Sequence, residues 1–218
     1  MSITVYGFWR SIASFRVRVA LRLKGLPFEE IPIDILSGEQ FKPGYDAVNP
    51  ERVVPTFIHD GHSLFQSLAI IEYLDDIQPK PRLIPEDIKE RAYARSLALM
   101  TVADAHPLVV PRVRNHLATA VGADAKAIED CGRHWTIEGL ETYERLFARR
   151  TPSPFALGAE PGLADICIAG QVVTAQYLKI EMSAFPAVSR LADRCFALSA
   201  FATSHPFEQP GYKTAAAQ

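Results

Sequence analysis

The first eighty residues alternate between two hydrophobic periods. Residues 3–7, ITVYG, alternate apolar and polar side chains and end at a glycine, which predicts a β-strand. Residues 11–24 carry apolar side chains at helical spacing, and Gly25 follows them, as a glycine commonly does just past a helix end. Residues 27–35, PFEEIPIDI, predict a second strand, which we expect near a sheet edge because Pro32 interrupts it.

A hairpin pattern and a further helix complete this first part. Residues 54–65, VPTFIHDGHSLF, contain two apolar runs around Asp60-Gly61, which is typical of a β-hairpin. Residues 66–77, QSLAIIEYLDDI, predict a helix that opens with the polar pair Gln66-Ser67. The order strand, helix, strand, hairpin, helix predicts a small α/β domain.

The rest of the chain shows helical periodicity and almost no strand pattern. Three prolines mark residues 78–87 as a linker. We expect helices over residues 89–108, with disturbances at Pro107 and Pro111, over 126–150, over 162–178 and over 185–198, before a polar tail. The predicted organisation is an α/β domain at 1–79, a linker at 80–86 and an all-helical domain at 87–218.

Composition narrows the classes of partner. The 218 residues carry 23 Lys plus Arg and 25 Asp plus Glu, a net charge of -2, which argues against nucleic acid as a partner. The start of the sequence resembles no signal peptide and no run is long enough to span a membrane, so we expect a cytoplasmic protein without a membrane partner. His59 and His62 flank the hairpin turn without a third ligand, so we expect no metal site.

Cysteine usage excludes one kind of chemistry. The three cysteines, Cys131, Cys167 and Cys195, are widely spaced and show no CxxC pattern, so we expect reduced, packed thiols. A thiol–disulfide reductase needs a cysteine at the first helix, and residues 1–130 contain none.

Four local features could bind an anionic or peptide-like ligand. Ser11 opens the first helix and Gln66-Ser67 opens another, and free backbone N–H groups at a helix start favour an anion. Pro55 precedes a strand, a context in which a cis peptide can expose a backbone edge. Gln40 is a polar loop residue before the hairpin. Taken singly, a serine at a helix start is more often only a cap.

Together these features resemble a known family. The segments WRSIASFRVRVALRLKG, NPERVVPTF, DGHSLFQSLAIIEYL and GLADICIAGQ are similar to the glutathione transferases, specifically the zeta class with its maleylacetoacetate isomerases. The resemblance covers nearly the whole chain in order. It implies a thioredoxin-like N-terminal domain, an all-helical C-terminal domain, a homodimer and glutathione as the bound thiol.

The resemblance also implies roles for individual residues. Gln66 and Ser67 would hold the γ-glutamyl end of glutathione, and Val54, ahead of a cis Pro55, would pair its backbone with the cysteinyl part. Gln40 would reach the glycine carboxylate.

The resemblance places thiol activation at the first helix. Ser11 would donate a hydrogen bond to the glutathione sulfur, and the helix dipole and Arg10 would help to stabilise the thiolate. Asp104 and His106 lie where the family reaches toward glutathione, in some members across the dimer interface. For His106 a structural role is an equal alternative.

Two departures from the zeta pattern bear on the second substrate. Ile12 and Ala13 stand where the family has a serine and a cysteine, which predicts a more apolar pocket beside the sulfur. An arginine of the penultimate apolar helix is replaced by Gln176 or Tyr177, which leaves Arg10 and Arg112 to bind a carboxylate. These departures predict weak or absent isomerisation beside measurable conjugation.

The sequence therefore predicts a zeta-like glutathione transferase that activates the thiol for attack on an electrophile. Conjugation is the expected reaction, with glutathione-dependent cis–trans isomerisation as a further one. The alternatives are a maleylacetoacetate isomerase of aromatic amino-acid catabolism and a non-catalytic glutathione-binding module.

The remaining charged residues of note have structural interpretations. Arg18 and Arg22 sit four apart and predict a solvated helix face, whereas Arg16 falls within the apolar arc and predicts an ion pair at the domain interface. Asp165, with Gly162 as the cap, matches a capping box that starts a buried helix.

Overall fold

Two compact units make up the part of the chain that the computed structural model describes, residues 2–212. One unit contains residues 2–83 together with 198–212, and the other contains residues 84–197. The predicted division at 1–79, 80–86 and 87–218 differs in where the C-terminal segment belongs, because residues 198–212 pack with the first unit.

A four-stranded sheet is the centre of the first unit. Its strands are β1 (Ile3–Gly7), β2 (Glu29–Pro32), β3 (Thr56–His59) and β4 (His62–Phe65). The order is β2-β1-β3-β4, with β1 and β2 parallel and the other pairs antiparallel. The expected edge position of β2 is therefore confirmed. The hairpin turn is confirmed too, because Asp60 (φ 47°) and Gly61 (φ 82°) both adopt positive φ.

The helices of the first unit pack an apolar core against this sheet. They are α1 (Ile12–Leu23), α2 (Pro43–Asp46), α3 (Ser67–Ile77) and α9 (Ser199–Ala202). Val5 and Phe57 of the sheet, Phe15 of α1 and Ile70 of α3 are fully buried. The predicted polar tail is wrong at α9, because Phe201 is fully buried and Ser204 accepts a 2.6 Å hydrogen bond from Arg22.

The predicted solvated face of α1 is also wrong at Arg18. Arg18 is only 1% exposed and forms an ion pair with Glu30 of β2. Arg22 is half-buried and lies 5.4 Å from the ring centre of Phe28. Helical periodicity could not predict this, because the carboxylate partner of Arg18 comes from a different element.

The second unit is helical. Its helices are α4 (Ile88–Leu99), α5 (Pro111–Thr119), α6 (Ala125–Phe147), α7 (Leu163–Tyr177) and α8 (Pro186–Ala197). The predicted helix over 89–108 ends at Leu99, where a π-helical segment, Met100–Ala105, and a short 3₁₀ turn, His106–Leu108, replace it. The interruption therefore begins well before Pro107.

Helix α7 is the core element of this unit. Every residue from Leu163 to Ala175 is buried, as its nearly continuous apolar sequence predicts. The predicted capping box is confirmed, since Asp165 Oδ2 accepts a 2.9 Å hydrogen bond from Gly162 N. Asp165 Oδ1 also accepts from Ala156 N at 2.8 Å, which joins the preceding loop to the helix start.

Across residues 2–212, none of the helices combines the length and the apolar character needed to cross a membrane. The same residues contain no cluster of three or more His, Cys, Asp or Glu side chains with metal-binding geometry.

Candidate active site

Ser11 is the N-cap of α1. Its backbone is extended (φ −69°, ψ 121°), its N–H donates to Phe8 O at 3.0 Å, and its Oγ accepts from Ser14 N at 3.2 Å. Capping uses a lone pair of the hydroxyl oxygen, so the hydroxyl hydrogen can be donated to a bound anion. The first turn of α1 contains no acidic side chain that would oppose such an anion.

Ser14 has a different environment although it lies one turn along. It is fully buried, and its Oγ accepts a 3.3 Å hydrogen bond from Phe8 N. Three other residues flank the Ser11 cap: Arg10 is exposed, Ile12 is buried and Ala13 is half-buried. The hydroxyl available to a ligand at this helix start is therefore that of Ser11.

The start of α3 offers a second anion-binding position. Gln66 is the N-cap residue, with φ 68° and ψ 113°, a strained conformation for a residue other than glycine. Its Nε2 donates to Glu51 Oε1 at 2.8 Å on the surface. Ser67 is 3% exposed, and its Oγ accepts a 3.0 Å hydrogen bond from Arg16 Nε.

Arg16 lies beside the second anion-binding position, which sequence reasoning did not predict. It is 1% exposed and its guanidinium lies beside the start of α3, while the ion pair expected for it stays a prediction. A buried cation next to Ser67 favours a carboxylate at this helix N-terminus. The pattern that could have indicated this is its position inside the apolar arc of α1, which requires a buried polar partner.

The peptide bond between Val54 and Pro55 is cis, as predicted. Buried polar groups hold the backbone on both sides of it. Asn49 Nδ2 donates to Val53 O at 3.0 Å and to Thr56 Oγ1 at 2.9 Å. The Tyr45 hydroxyl lies 2.8 Å from Thr56 Oγ1 and 2.5 Å from Val53 O, and burial raises the pKa of this hydroxyl, which keeps it protonated. Tyr45 and Asn49 were not predicted as site residues.

Gln40 is 8% exposed and lies in a short 3₁₀ helix, Glu39–Phe41, before α2, where the sequence pattern predicted a loop. Its Nε2 donates to Ile35 O at 3.2 Å, while its Oε1 has no hydrogen-bond partner among residues 2–212. Contact with a glycine carboxylate would use the second amide hydrogen, since only that end of the group is a donor. This role stays a prediction.

The second unit contains the other predicted site residues. Asp104 is exposed in the π-helical segment, and His106 is half-buried in the 3₁₀ turn. Arg112 is exposed in the first turn of α5, and Gln176 is exposed near the end of α7. A π-helical segment often marks a functional position, but the roles of these four residues stay predictions.

The described residues of the first unit contain no cysteine. All three cysteines belong to the second unit, where Cys167 and Cys195 are buried and Cys131 is half-buried. Burial raises the pKa of the Cys195 thiol, and the charge of Asp165 raises it further. The first unit therefore supplies no thiol of its own at the start of α1.

Comparison with known proteins finds a matching family model and similar sequences. The family model of the glutathione S-transferase N-terminal domain matches residues 1–76. A probable maleylacetoacetate isomerase of Vibrio cholerae is 38% identical over 212 residues, which cover 96% of this chain and 98% of that protein. The maleylacetoacetate isomerase of Pseudomonas aeruginosa is 36% identical, over 94% of this chain and 97% of that protein.

Two solved structures that resemble this chain are also isomerases of this kind. The crystal structure of maleylacetoacetate isomerase from Methylobacterium extorquens AM1, with bound malonate and glutathione, superposes with a TM-score of 0.92 at 40% identity, covering 95% of this chain and 98% of that one. The holo structure of a bacterial zeta-class maleylpyruvate isomerase also gives a TM-score of 0.92, at 34% identity with the same coverages. The chain therefore belongs to the zeta-class glutathione transferases, the family that contains the maleylacetoacetate isomerases.

Proposed function

We propose that this glutathione-dependent enzyme activates the glutathione thiol with Ser11 and uses the thiolate to attack an electrophile. The observation that carries the proposal is the capping geometry of Ser11, whose hydroxyl hydrogen is available at a helix N-terminus whose first turn contains no acidic residue. A hydrogen bond and the positive end of the helix dipole both stabilise a thiolate relative to the thiol. Arg10, the next residue toward the N-terminus, adds positive charge there.

Glutathione binding would use the rest of the first unit. The γ-glutamyl carboxylate would contact Ser67 and the side chain of Gln66 at the start of α3, where the Arg16 guanidinium adds positive charge. The cysteinyl part would pair with the backbone of Val54, and the glycine carboxylate would contact Gln40.

The activated thiolate supports two outcomes with conjugated electrophiles. The sulfur adds to one carbon of the double bond, and the electron pair moves to the carbonyl as an enolate. If the new single bond rotates and the sulfur leaves with its electrons, the double bond returns in the trans form and glutathione is unchanged. If a proton quenches the enolate instead, or if the sulfur displaces a halide, the product is a glutathione conjugate.

We propose conjugation as the general reaction and isomerisation of a maleyl-type acid as the second candidate. The second candidate is favoured by the names of the most similar relatives, which are maleylacetoacetate and maleylpyruvate isomerases. The carboxylates of such a substrate would contact Arg10 and Arg112, with Gln176 as a neutral side chain. Asp104 and His106 are the proposed further contacts to glutathione.

Parallel assays test the proposed function. The kcat/KM values for an aryl halide, an enone and a maleyl-type diacid should include at least one substrate class with clear glutathione-dependent turnover, and Ser11→Ala should lower each measurable rate. Glutathione binding without thiolate formation and without turnover of all three classes would contradict the proposal and indicate a binding module.

We further propose a cytoplasmic homodimer. The feature that supports the homodimer is the edge strand β4, which ends in Phe65 with 47% of its surface exposed. Light scattering of the purified protein should give about twice the chain mass of 24.1 kDa, whereas the chain mass itself at micromolar concentration would contradict the dimer.

A further inference from the structure

Residues 8–11 connect β1 to α1 and carry the serine to which we assign thiol activation. Phe8 O is the central acceptor of this segment, because it receives hydrogen bonds from Ser11 N at 3.0 Å and from Arg18 Nη2 at 2.9 Å. Trp9 O lies 3.5 Å from Arg18 Nη1. One guanidinium therefore contacts two successive carbonyl groups just before the cap.

Arg18 is held in this position by an ion pair. Its Nε lies 2.8 Å from Glu30 Oε2, and its Nη2 lies 2.8 Å from Glu30 Oε1. The Arg18 side chain is 1% exposed and that of Glu30 is 23% exposed. A two-point contact of this kind fixes the plane of the guanidinium, and a lysine ammonium cannot reproduce it.

The Glu30 carboxylate also lies against the end of β1. A Cβ atom added to Gly7 would be 2.3 Å from Glu30 Oε1, so the absence of a side chain at Gly7 leaves room for this carboxylate. Glu30 therefore contacts the chain immediately before residues 8–11, and Arg18 contacts the chain within that segment.

We propose that Arg18 and Glu30 are a positioning pair, which holds the carbonyl groups of Phe8 and Trp9 so that the Ser11 hydroxyl keeps its place at the start of α1. The proposal rests on the proposed function of Ser11 and assigns the pair no contact with glutathione. Loss of either member should displace the cap while the binding contacts at the start of α3 remain.

A second buried ion pair of the same unit provides a matched control. Lys24 Nζ lies 2.5 Å from Asp75 Oδ1 and donates to Gln78 O and Pro81 O, both at 2.6 Å. The Lys24 and Asp75 side chains are 0% and 4% exposed. This pair is at the opposite end of α1, so Asp75→Asn disturbs a buried ion pair without touching residues 8–11.

The test compares Glu30→Gln and Arg18→Lys with Asp75→Asn by titrating the ultraviolet absorbance of the bound glutathione thiolate. We expect the first two variants to raise the thiol pKa by about one unit, which is about tenfold less thiolate at a pH below that pKa. The alkaline shift should also be visible in the pH profile of kcat/KM, with a change in Kd for glutathione below about threefold. Asp75→Asn should lower Tm and leave the thiol pKa unchanged.

An unchanged thiol pKa in the first two variants would overturn the proposal, and so would an equal pKa shift in Asp75→Asn. If Glu30→Gln and Arg18→Lys do not fold, Glu30→Asp keeps the charge and shortens the reach, and the same two outcomes apply to it. Ser11→Ala separates the two claims. If it leaves the thiol pKa unchanged, the proposed role of Ser11 fails; if it raises the pKa and the pair variants do not, only the positioning pair fails.

Discussion

At the residue scale, Ser67 shows how a single hydroxyl can serve both the fold and the ligand. Its oxygen accepts from Arg16 inside the first unit, so its hydrogen is directed elsewhere. Sequence patterns predicted Ser67 as a helix start, but they could not predict the contact with Arg16, which is 51 positions away in the chain.

We predict that Ser67→Ala weakens glutathione binding by about 1.5–3 kcal/mol, roughly 10- to 150-fold in Kd, because a hydrogen bond to a carboxylate is lost beside a buried cation. Titration calorimetry measures this change. Ser63→Ala is the matched control, since Ser63 is an exposed serine of the neighbouring strand. Similar Kd values for both variants and the natural protein would contradict the placement of the γ-glutamyl site.

Ile12 and Ala13 give a second prediction at this scale. Ile12 is 6% exposed and Ala13 is half-buried, both in the first turn after the Ser11 cap. An apolar wall solvates a diacid or an enolate weakly. Replacing the two residues by serine and cysteine should therefore raise the ratio of isomerisation to conjugation by about tenfold, or about 1.4 kcal/mol in relative barrier height.

The measurement is kcat/KM for a maleyl-type diacid and for an aryl halide with the natural protein and the double variant. Efficient isomerisation by the natural protein, unchanged in the double variant, would show that these side chains do not determine the reaction. It would also contradict the weak isomerisation expected from the sequence.

At the scale of elements, local patterns predicted the strands, the hairpin and most helices, because each repeats its hydrophobic period over several residues. They failed where an element depends on a distant partner. Helix α4 gives way to a π-helical segment at Met100 although helix-forming residues continue, and Thr101 in that segment lies 2.8 Å from the buried Tyr143 hydroxyl of α6. No local pattern contains that contact.

Helix α7 provides a prediction about pH. Burial raises the pKa of Asp165 from 3.8 to about 6, although two backbone N–H groups donate to its carboxylate. Because the folded protein favours the protonated carboxyl group, Asp165 stabilises the fold fully below about pH 4. This stabilisation is lost as the pH rises through about 6, and the loss in unfolding free energy is about 3 kcal/mol at most.

Asp165→Asn removes this titration, so the Tm difference between the natural protein and the variant should be largest near about pH 4 and should shrink toward about pH 7. The exposed Asp193→Asn is the control for other pH effects in this unit. A Tm difference that grows with pH would show that Asp165 is ionised at low pH in the folded protein.

At the scale of the whole molecule, the sequence predicted an α/β part followed by a helical part, but it did not predict that the chain returns to the first unit. Residues 198–212 return because they bury Phe201 and place Tyr212 against Trp9, with ring centres 5.7 Å apart. The sequence pattern does not show this return, since a few separate aromatic side chains, and not a hydrophobic period, provide the contacts. The ligand roles of Asp104, His106, Arg112 and Gln176 were inferred from family resemblance alone and stay predictions.

Gly211 allows this return to be tested. A Cβ atom at Gly211 would lie 2.4 Å from a carbon of the Trp9 indole, so Gly211→Ala must displace the ring or the segment. We predict a loss of about 1–3 kcal/mol in unfolding free energy and a change in tryptophan fluorescence. Gly44→Ala is the control, because a Cβ there meets nothing within 4 Å. Equal denaturation midpoints for the two variants would contradict the close contact.

The central claim is that the Ser11 cap lowers the pKa of the bound glutathione thiol. The most direct measurement is the ultraviolet absorbance of the thiolate as a function of pH, with the natural protein and with Ser11→Ala, both saturated with glutathione. We predict a thiol pKa clearly below the free value of about 8.5 in the natural protein and a pKa raised toward that value in the variant. A bound thiol that titrates like free glutathione in the natural protein, or equally in both proteins, would contradict the claim.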